Sequence, residues 1–268
     1  MLFIDSYKKI FNNRRMEYKN ISLLEFQNEY LKCFKEICTF LDNNSIHYSL
    51  AFGTMLGAAR EQNIIPWDYD IDIYIYDNEW SKLECCLKND NILYSSFKNG
   101  NNTFGLSRIL IPSLYRQRYD EKQPSMAFID LFHLITIDKD NKKIIKTKKL
   151  IQTLTYYNHI KYDNYIPNSS IKRFARKFLP SYKFTNFILN PRIKKISNET
   201  AKYVTPLYYN DFYYFYPKSS KFVKLKFGND FYFVFENFDD ILSLKYGDWK
   251  TPVKDGRVEC MKFYVPND

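Results

Sequence analysis

Three aspartates stand at alternate positions, Asp68, Asp70 and Asp72, in the otherwise apolar and aromatic run IIPWDYDIDIYIY (64–76). Side chains on a strand alternate between faces, so Asp70 and Asp72 project the same way. Two carboxylates on one face of an apolar strand repel each other and are costly to bury, and a shared divalent cation removes that cost. A further acid, Asp130, interrupts the apolar segment AFIDLFHLITI (127–137). It reads either as a strand-end residue hydrogen-bonded to a turn or as a third carboxylate on a strand beside the first pair. Upstream, the Gly53-Thr54 turn opens a short apolar segment that ends at Arg60.

Those residues need a scaffold. Ser22 and Glu25 have capping-box spacing, with Ile21 and Phe26 placed as a hydrophobic staple. Leu23, Phe26, Tyr30, Phe34, Ile37 and Leu41 then recur every three or four residues, which predicts an amphipathic helix ending near Asn43-Asn44. Ile46–Phe52 reads as a strand, Thr54–Arg60 as a short helix, and Pro66-Trp67 as a rigid turn before the acidic strand Asp70–Tyr76. Glu79–Leu87 reads as a helix, Phe104–Ile111 as a strand carrying Arg108, and Ala127–Ile137 as the strand of Asp130. Gly228-Asn229-Asp230 has the turn chemistry of a hairpin between Lys221–Phe227 and Phe231–Phe235, followed by a short helix over Phe238–Leu244. Residues 1 to 20 are polar and basic and read as a loose lead-in.

The 268 residues suffice for one large domain or two small ones, and a 45% hydrophobic share allows a core. The 24 Tyr and 23 Phe require many half-buried rings or rings stacked on ligands. A net charge of +10 reads either as a surface for anionic partners or as an ordinary solvated basic surface. That charge is concentrated in residues 139–202, with 16 Lys and Arg against 3 Asp and Glu, and the remainder is slightly acidic. Within it, IKRFARKFL (171–179) places Ile171, Phe174, Ala175, Phe178 and Leu179 on one helical face and four basic residues on the other. This reads either as a peripheral membrane contact or as an ordinary packed helix with its charges in water. Five cysteines fit no zinc spacing and read as reduced thiols. No signal peptide and no membrane-spanning stretch is visible, which points to a cytoplasmic protein, soluble or peripheral on the inner face of a membrane.

A Gly-Thr turn, a helix, then two aspartates one residue apart on a strand resembles the nucleotidyltransferase superfamily typified by DNA polymerase beta. The longer stretch AFGTMLGAAREQNIIPWDYDIDI resembles the LicD family signature, GTLLGxxR followed by IPWDxDID. FIDLFHL resembles that family's later IDIFPL segment, and KYGDWKTP its YGDxxxxP motif. The resemblance runs in order from about Ile46 to Pro252, and between the motifs, especially over 139–202, nothing matches. It implies an α+β fold, a polymerase beta-like mixed sheet with flanking helices. The whole of 1–268 is then one LicD-like catalytic domain, and 139–202 a basic, largely helical insertion.

It further implies a metal-dependent transferase that moves a phospho-alcohol from a CDP-activated donor to a glycan or lipid-linked glycan hydroxyl, releasing CMP. Phosphocholine is the first choice of alcohol, with ribitol or glycerol phosphate as alternatives. By position, Asp70 and Asp72 match the ligands of Mg²⁺ (or Mn²⁺), Asp68 an additional ligand, and Asp130 a third carboxylate or base. Gly53 and Thr54 would lie against the donor phosphates. Arg60 matches the arginine of GTLLGxxR, or else forms a structural ion pair. Trp249 and Trp67 would stack on cytosine, frame a choline-like cation or pack in turns. Two departures stand out: Tyr69 replaces a frequent acid, and His133 a usual proline. A nucleotidyltransferase on the same fold is the second reading. A non-catalytic basic binding protein is the third, disfavoured by the intact acids, and nucleic acid is an unlooked-for partner.

Overall fold

The computed structural model describes residues 17–95, 106–138, 142–162, 176–207, 215–254 and 260–267. In chain order its elements are β1 (Tyr18–Ile21), α1 (Leu23–Asn43), β2 (Tyr48–Leu50), α2 (Phe52–Arg60), β3 (Ile71–Tyr76), α3 (Asp77–Asn89), β4 (Tyr94–Ser95), β5 (Ser107–Arg118) and β6 (Ser125–Ile137). Then follow α4 (Lys142–Tyr162), a 3-10 turn (Arg176–Phe178), α5 (Tyr182–Ile196), β7 (Tyr203–Pro206), β8 (Tyr216–Pro217), β9 (Phe222–Phe227), β10 (Asp230–Phe235), α6 (Phe238–Tyr246) and β11 (Met261–Pro266). The architecture is α+β. Two compact units emerge: Met1–Tyr94 with Arg108–Leu131 and Ser219–Asp268, and Ser95–Ser107 with Phe132–Lys218.

In the first unit the strands run in the order β1-β11-β5-β6-β3-β2. α1 begins as its sequence requires. The Ser22 hydroxyl accepts the Glu25 N–H at 3.2 Å, and the Glu25 carboxylate accepts the Ser22 N–H at 2.8 Å, satisfying two otherwise orphaned donors. Its three-and-four spacing buries Phe26, Tyr30, Phe34, Ile37 and Leu41. Phe26 lies 4.6 Å from the Phe263 ring of β11, and Phe34 lies 4.9 Å from the Tyr232 ring of β10. Each such buried ring contributes about 2 kcal/mol of transfer free energy. The hairpin β9–β10 pairs antiparallel from Asp230↔Phe227 to Phe235↔Phe222. Its turn residue Gly228 has φ +66°, a left-handed conformation that favours glycine, and a Cβ there would also oblige the Leu31 side chain to move.

Four local expectations are corrected. Tyr18–Ile21, inside the supposed loose lead-in, is a strand paired antiparallel with β11. It is an edge strand with only its end residues half-buried, so it lacks the alternation that marks a strand covered on one face. The strand expected over Ile46–Phe52 is only Tyr48–Leu50, because Ala51 caps α2 and Phe52 already belongs to that helix. The acidic strand starts at Ile71 rather than Asp70, which leaves Asp68 and Asp70 on the approach to it. β5 runs on from Ser107 to Arg118 although Pro112 falls within it, where a proline ordinarily signals the end of a strand pattern.

In the second unit the end of β6 pairs antiparallel with β7, Leu134↔Pro206 to Ile137↔Tyr203, and β7 pairs with β8. α4 and α5 pack there through Ile144, Ile151, Leu154, Leu189 and Ile196, against Ile135 and Ile137. The amide of Asn158 bridges the two helices to Thr185 Oγ1 at 2.7 Å. Most of the amphipathic segment 171–179 lies outside the described residues; its Arg176–Phe178 portion forms the 3-10 turn. No described helix is long and apolar enough to cross a membrane. All five cysteines are free thiols, and burial pushes Cys33 up to about 11.

Candidate active site

Every acid singled out in the sequence, and each residue proposed to hold the donor, belongs to the first unit. β3 carries Asp72, and β6, its neighbour in the sheet, carries Asp130. Asp68 and Asp70 lie on the loop that leads into β3. The loop has a defined shape: the Asp68 N–H bonds the Ile65 carbonyl at 2.8 Å, and the Asp68 carboxylate accepts the Tyr69 N–H at 2.9 Å.

α2 faces this loop. Gly53 is its second residue, and a Cβ there would stand 2.9 Å from Asp68 Oδ2. The glycine is the space in which the Asp68 carboxylate sits. Phe52, just before it, has φ +42°. A bulky residue in that region is strained by about 1–2 kcal/mol. Ring contacts hold it there, with Tyr74 at 5.1 Å and the Lys245 ammonium 4.4 Å above its centre. The strain lies at the bend that brings the start of α2 to the acids. Thr54 is buried, and its hydroxyl accepts the Asp72 N–H at 2.8 Å. It therefore joins α2 to β3 directly.

The carboxyls act on one another. Burial, then the charges of Asp70, Asp130 and Asp68, pushes the Asp72 pKa well above the ordinary carboxylate range, partly offset by Arg116. Burial likewise raises Asp130, while Arg108 and Arg116 pull it back. Arg108 Nε bonds Asp130 Oδ1 at 2.7 Å. Both guanidinium groups lie over the Phe128 ring, at 3.8 Å for Arg108 and 4.0 Å for Arg116. Stacking fixes their planes beside the acids at little cost in side-chain freedom.

α1 sets the spacing of the acid-bearing segments through two polar side chains on its inner face. Gln27 is buried and its amide donates to the carbonyls of Ile65, at 3.1 Å, and Asp68, at 2.7 Å. Tyr30 is fully buried. Its hydroxyl donates to the Phe128 carbonyl of β6 and accepts the Ile71 N–H of β3 at 3.2 Å. Ile71 lies between Asp70 and Asp72, and Phe128 lies two residues before Asp130. One phenol thus ties the two strands together where the acids leave them.

A cleft of about 420 Å³ opens beside the loop, with Gly53, Arg60, Trp67, Asp68, Asp70, Lys245, Tyr246 and Trp249 among its walls. Asp72, Asp130 and Thr54 do not line it. Arg60 bonds Glu61 at 2.7 Å and the Trp249 carbonyl at 3.1 Å, so the ion-pair alternative for this arginine is realised while the side chain still borders the cleft. Trp249 is largely buried. A larger cavity of about 520 Å³ between α1 and the β9–β10 hairpin contains none of these acids. It is walled by paired surface charges such as Lys35–Asp230 at 2.7 Å. His133 lies in the second unit, buried, its carbonyl bonded to the Leu207 N–H.

Among the described residues no three His, Cys, Asp or Glu side chains converge as a closed ligand set. The donor chemistry nevertheless fits a hard divalent ion. Mg²⁺ is commonly held by one or two carboxylates, with waters and substrate phosphates completing its shell. Such an ion would offset both the burial of Asp72 and its repulsion by Asp70, Asp130 and Asp68.

The close packing of Gly53 gives a sharp expectation. Alanine favours a helix by about 1 kcal/mol over glycine, so Gly53→Ala should leave the melting temperature unchanged or raised. The added methyl must displace the Asp68 carboxylate, and kcat/KM should fall about tenfold or more. Thermal melting and steady-state kinetics on one preparation check both halves.

Nothing in the sequence alone assigns a role at the site to Gln27, Tyr30, Phe52 or Arg116, and Arg108 shows there only as a strand residue. The strongest available signals were a glutamine and a tyrosine three apart on the inner face of α1, and two arginines eight apart on one strand.

A profile described as LicD/FKTN/FKRP, nucleotidyltransferase domain, matches residues 45–183, just over half of the chain. The chain is 36% identical over 64 residues to the lipopolysaccharide cholinephosphotransferase LicD of Haemophilus influenzae, covering 24% of each chain. It is 53% identical over 36 residues to the ribitol 5-phosphate transferases FKRP of mouse and human, covering 13% of this chain and 7% of theirs. The matched segments therefore span about a quarter or less of these relatives. Gln27, Tyr30, Lys245 and Trp249 all fall outside the profile match.

Proposed function

Because this chain belongs to the LicD family, we propose that it transfers a phospho-alcohol from a CDP-activated donor to a hydroxyl of a cell-surface glycan, releasing CMP. The observation that carries the reading is the gathering of Asp72 and Asp130, on two neighbouring strands, with Asp68 and Asp70, on the loop into β3, whose charges all act on Asp72. Phosphocholine is the alcohol favoured by the likeness to the H. influenzae enzyme. Ribitol phosphate is the alternative favoured by the shorter, more identical match to FKRP. The nucleotidyltransferase, polymerase beta-like description of the fold is part of the same proposal.

In this reading Asp70 and Asp72 hold Mg²⁺ or Mn²⁺, with Asp68 as a further ligand. When bound, the ion neutralises charge on the donor phosphates and on the transferring phosphoryl group. The chain's own residues do the rest. Gly53 and Thr54, at the start of α2, set the helix end against the donor phosphates, where backbone N–H groups and the helix dipole favour anions. Arg60 and Trp249 border the cleft in which the nucleotide lies. Arg108 occupies Oδ1 of Asp130, which leaves Oδ2 to take the proton of the attacking hydroxyl, and burial strengthens that carboxylate as a base.

A lipid-linked acceptor brings this reaction to a membrane, for which the basic 139–202 region supplies the charge. The second reading, nucleotidyl transfer, is favoured by the name of the matching profile. Incubation with Mg²⁺, CDP-choline, CDP-ribitol or CDP-glycerol and a glycan acceptor tests the proposal. CMP release from one of these donors is the expected result. Release of pyrophosphate from CTP, with nucleotide left on the acceptor, would select the second reading instead.

A further inference from the structure

The second unit carries apolar side chains that its core does not use. α5 buries Thr185, Leu189 and Ile196, at 0%, 0% and 3% exposure, against α4 and β6. Its opposite face presents Phe184 at 54% and Phe187 at 76% exposure. Phe178, in the turn just before the Ser181 cap of α5, is 75% exposed. Isolated exposed rings are ordinary, but three within ten residues are not.

Helical spacing puts cations on the same face as the rings. Lys194 lies seven residues after Phe187, and Lys195 eleven after Phe184, so both share the outward face; Lys183 adjoins Phe184. All three lysines are exposed. The surrounding 139–202 stretch has 16 Lys and Arg against 3 Asp and Glu. Rings that enter an acyl boundary, flanked by long cations that reach the headgroups, describe a helix lying in the plane of a lipid surface.

We propose that the outward face of α5, with Phe178, docks this protein on an anionic phospholipid membrane. The match is one of charge and shape together. A strongly basic surface attracts anionic headgroups, and its rings stand on a helix ridge rather than in the basic groove that tracks a nucleic acid strand. This surface lies on other residues than the 171–179 helix expected from sequence, sharing with it only Phe178. It rests on the lipid-linked acceptor reading for its purpose. Binding to vesicles requires no turnover, so its outcome is separate from that of the transfer assay.

The test is co-sedimentation of the full chain with vesicles of phosphatidylcholine alone and with phosphatidylglycerol added. Binding is expected with the anionic lipid and should weaken as salt rises. Phe184→Ser with Phe187→Ser should lower partitioning about tenfold or more. Lys194→Glu with Lys195→Glu should lower it about 25-fold, roughly fivefold per cation lost. Both pairs are exposed, and unchanged thermal melting confirms that the variants fold. Absence of binding at low salt overturns the proposal. So does binding that ignores both variants, displacement from vesicles by RNA, or a concentration-dependent dimer that the phenylalanine variant dissolves.

Discussion

Asp72→Asn is expected to abolish transfer, by about 10³-fold or more, and at the same time to stabilise the metal-free protein. Loss of an outer residue around a metal typically costs 10–100-fold, and loss of a direct ligand more. The stability effect follows from the carboxyl's surroundings. Burial and the charges of Asp70, Asp130 and Asp68 raise its pKa in the folded chain, so the native state holds that proton more tightly than the unfolded chain does. The resulting stabilisation is present at low pH. It is lost as pH rises from the ordinary carboxylate range through the raised native value. Asparagine keeps the shape and removes the charge, so the variant's melting temperature should exceed the wild type's at pH 8, with the gap closing toward pH 4. Mg²⁺ should raise the wild-type melting temperature and leave the variant's unchanged. Melting curves in chelator and in Mg²⁺, at the two pH values, measure all of this. A variant that turns over normally would remove Asp72 from the metal.

Tyr30→Phe is expected to be the most damaging removal of a single atom in the first unit. The lost hydroxyl leaves the Ile71 N–H and the Phe128 carbonyl, both inside the sheet region, without the partner they share. A buried polar group left unsatisfied costs about 1–3 kcal/mol, so a loss of about 3 kcal/mol is expected for the pair, visible as a lower urea midpoint with an unchanged slope. Activity should fall further than stability explains. The phenol fixes β3 and β6 beside Asp72 and Asp130, and small misplacements in a catalytic set cost large factors in rate. A merely structural tyrosine would lower the midpoint and leave kcat intact at temperatures where the variant is folded. A change in the Mg²⁺ concentration needed for half-maximal rate would mark the positioning role.

The features legible in the sequence were those encoded by near neighbours. The capping box of α1 needs only Ser22 and Glu25, and the hairpin needs only Gly228 between two alternating runs. The acid positions were legible for the same reason, since Asp68, Asp70 and Asp72 lie within one short segment. Contacts across the chain were not. Tyr18–Ile21 has no pattern of its own and becomes a strand only because Met261–Pro266, at the far end of the sequence, pairs with it. Beside Gly53, Thr54 reads as a phosphate contact, and the sequence gives no sign that its hydroxyl also accepts the Asp72 N–H eighteen residues on. Gln27 and Tyr30 disappear into an amphipathic stripe, because helical periodicity registers burial and not the carbonyls a buried polar group will meet. The positive φ of Phe52 is invisible for another reason. Aromatic residues avoid that conformation, and packing that includes Tyr74 and Lys245 around the ring holds it there.

The mass of the acceptor after reaction tests the central claim most directly. A glycan acceptor incubated with the protein, Mg²⁺ and the CDP-alcohol panel should gain one phospho-alcohol, with one CMP released for each, and the Asp72→Asn protein should give no product. An acceptor carrying a nucleotide, or an acceptor unchanged with every donor while the protein remains folded, would contradict it.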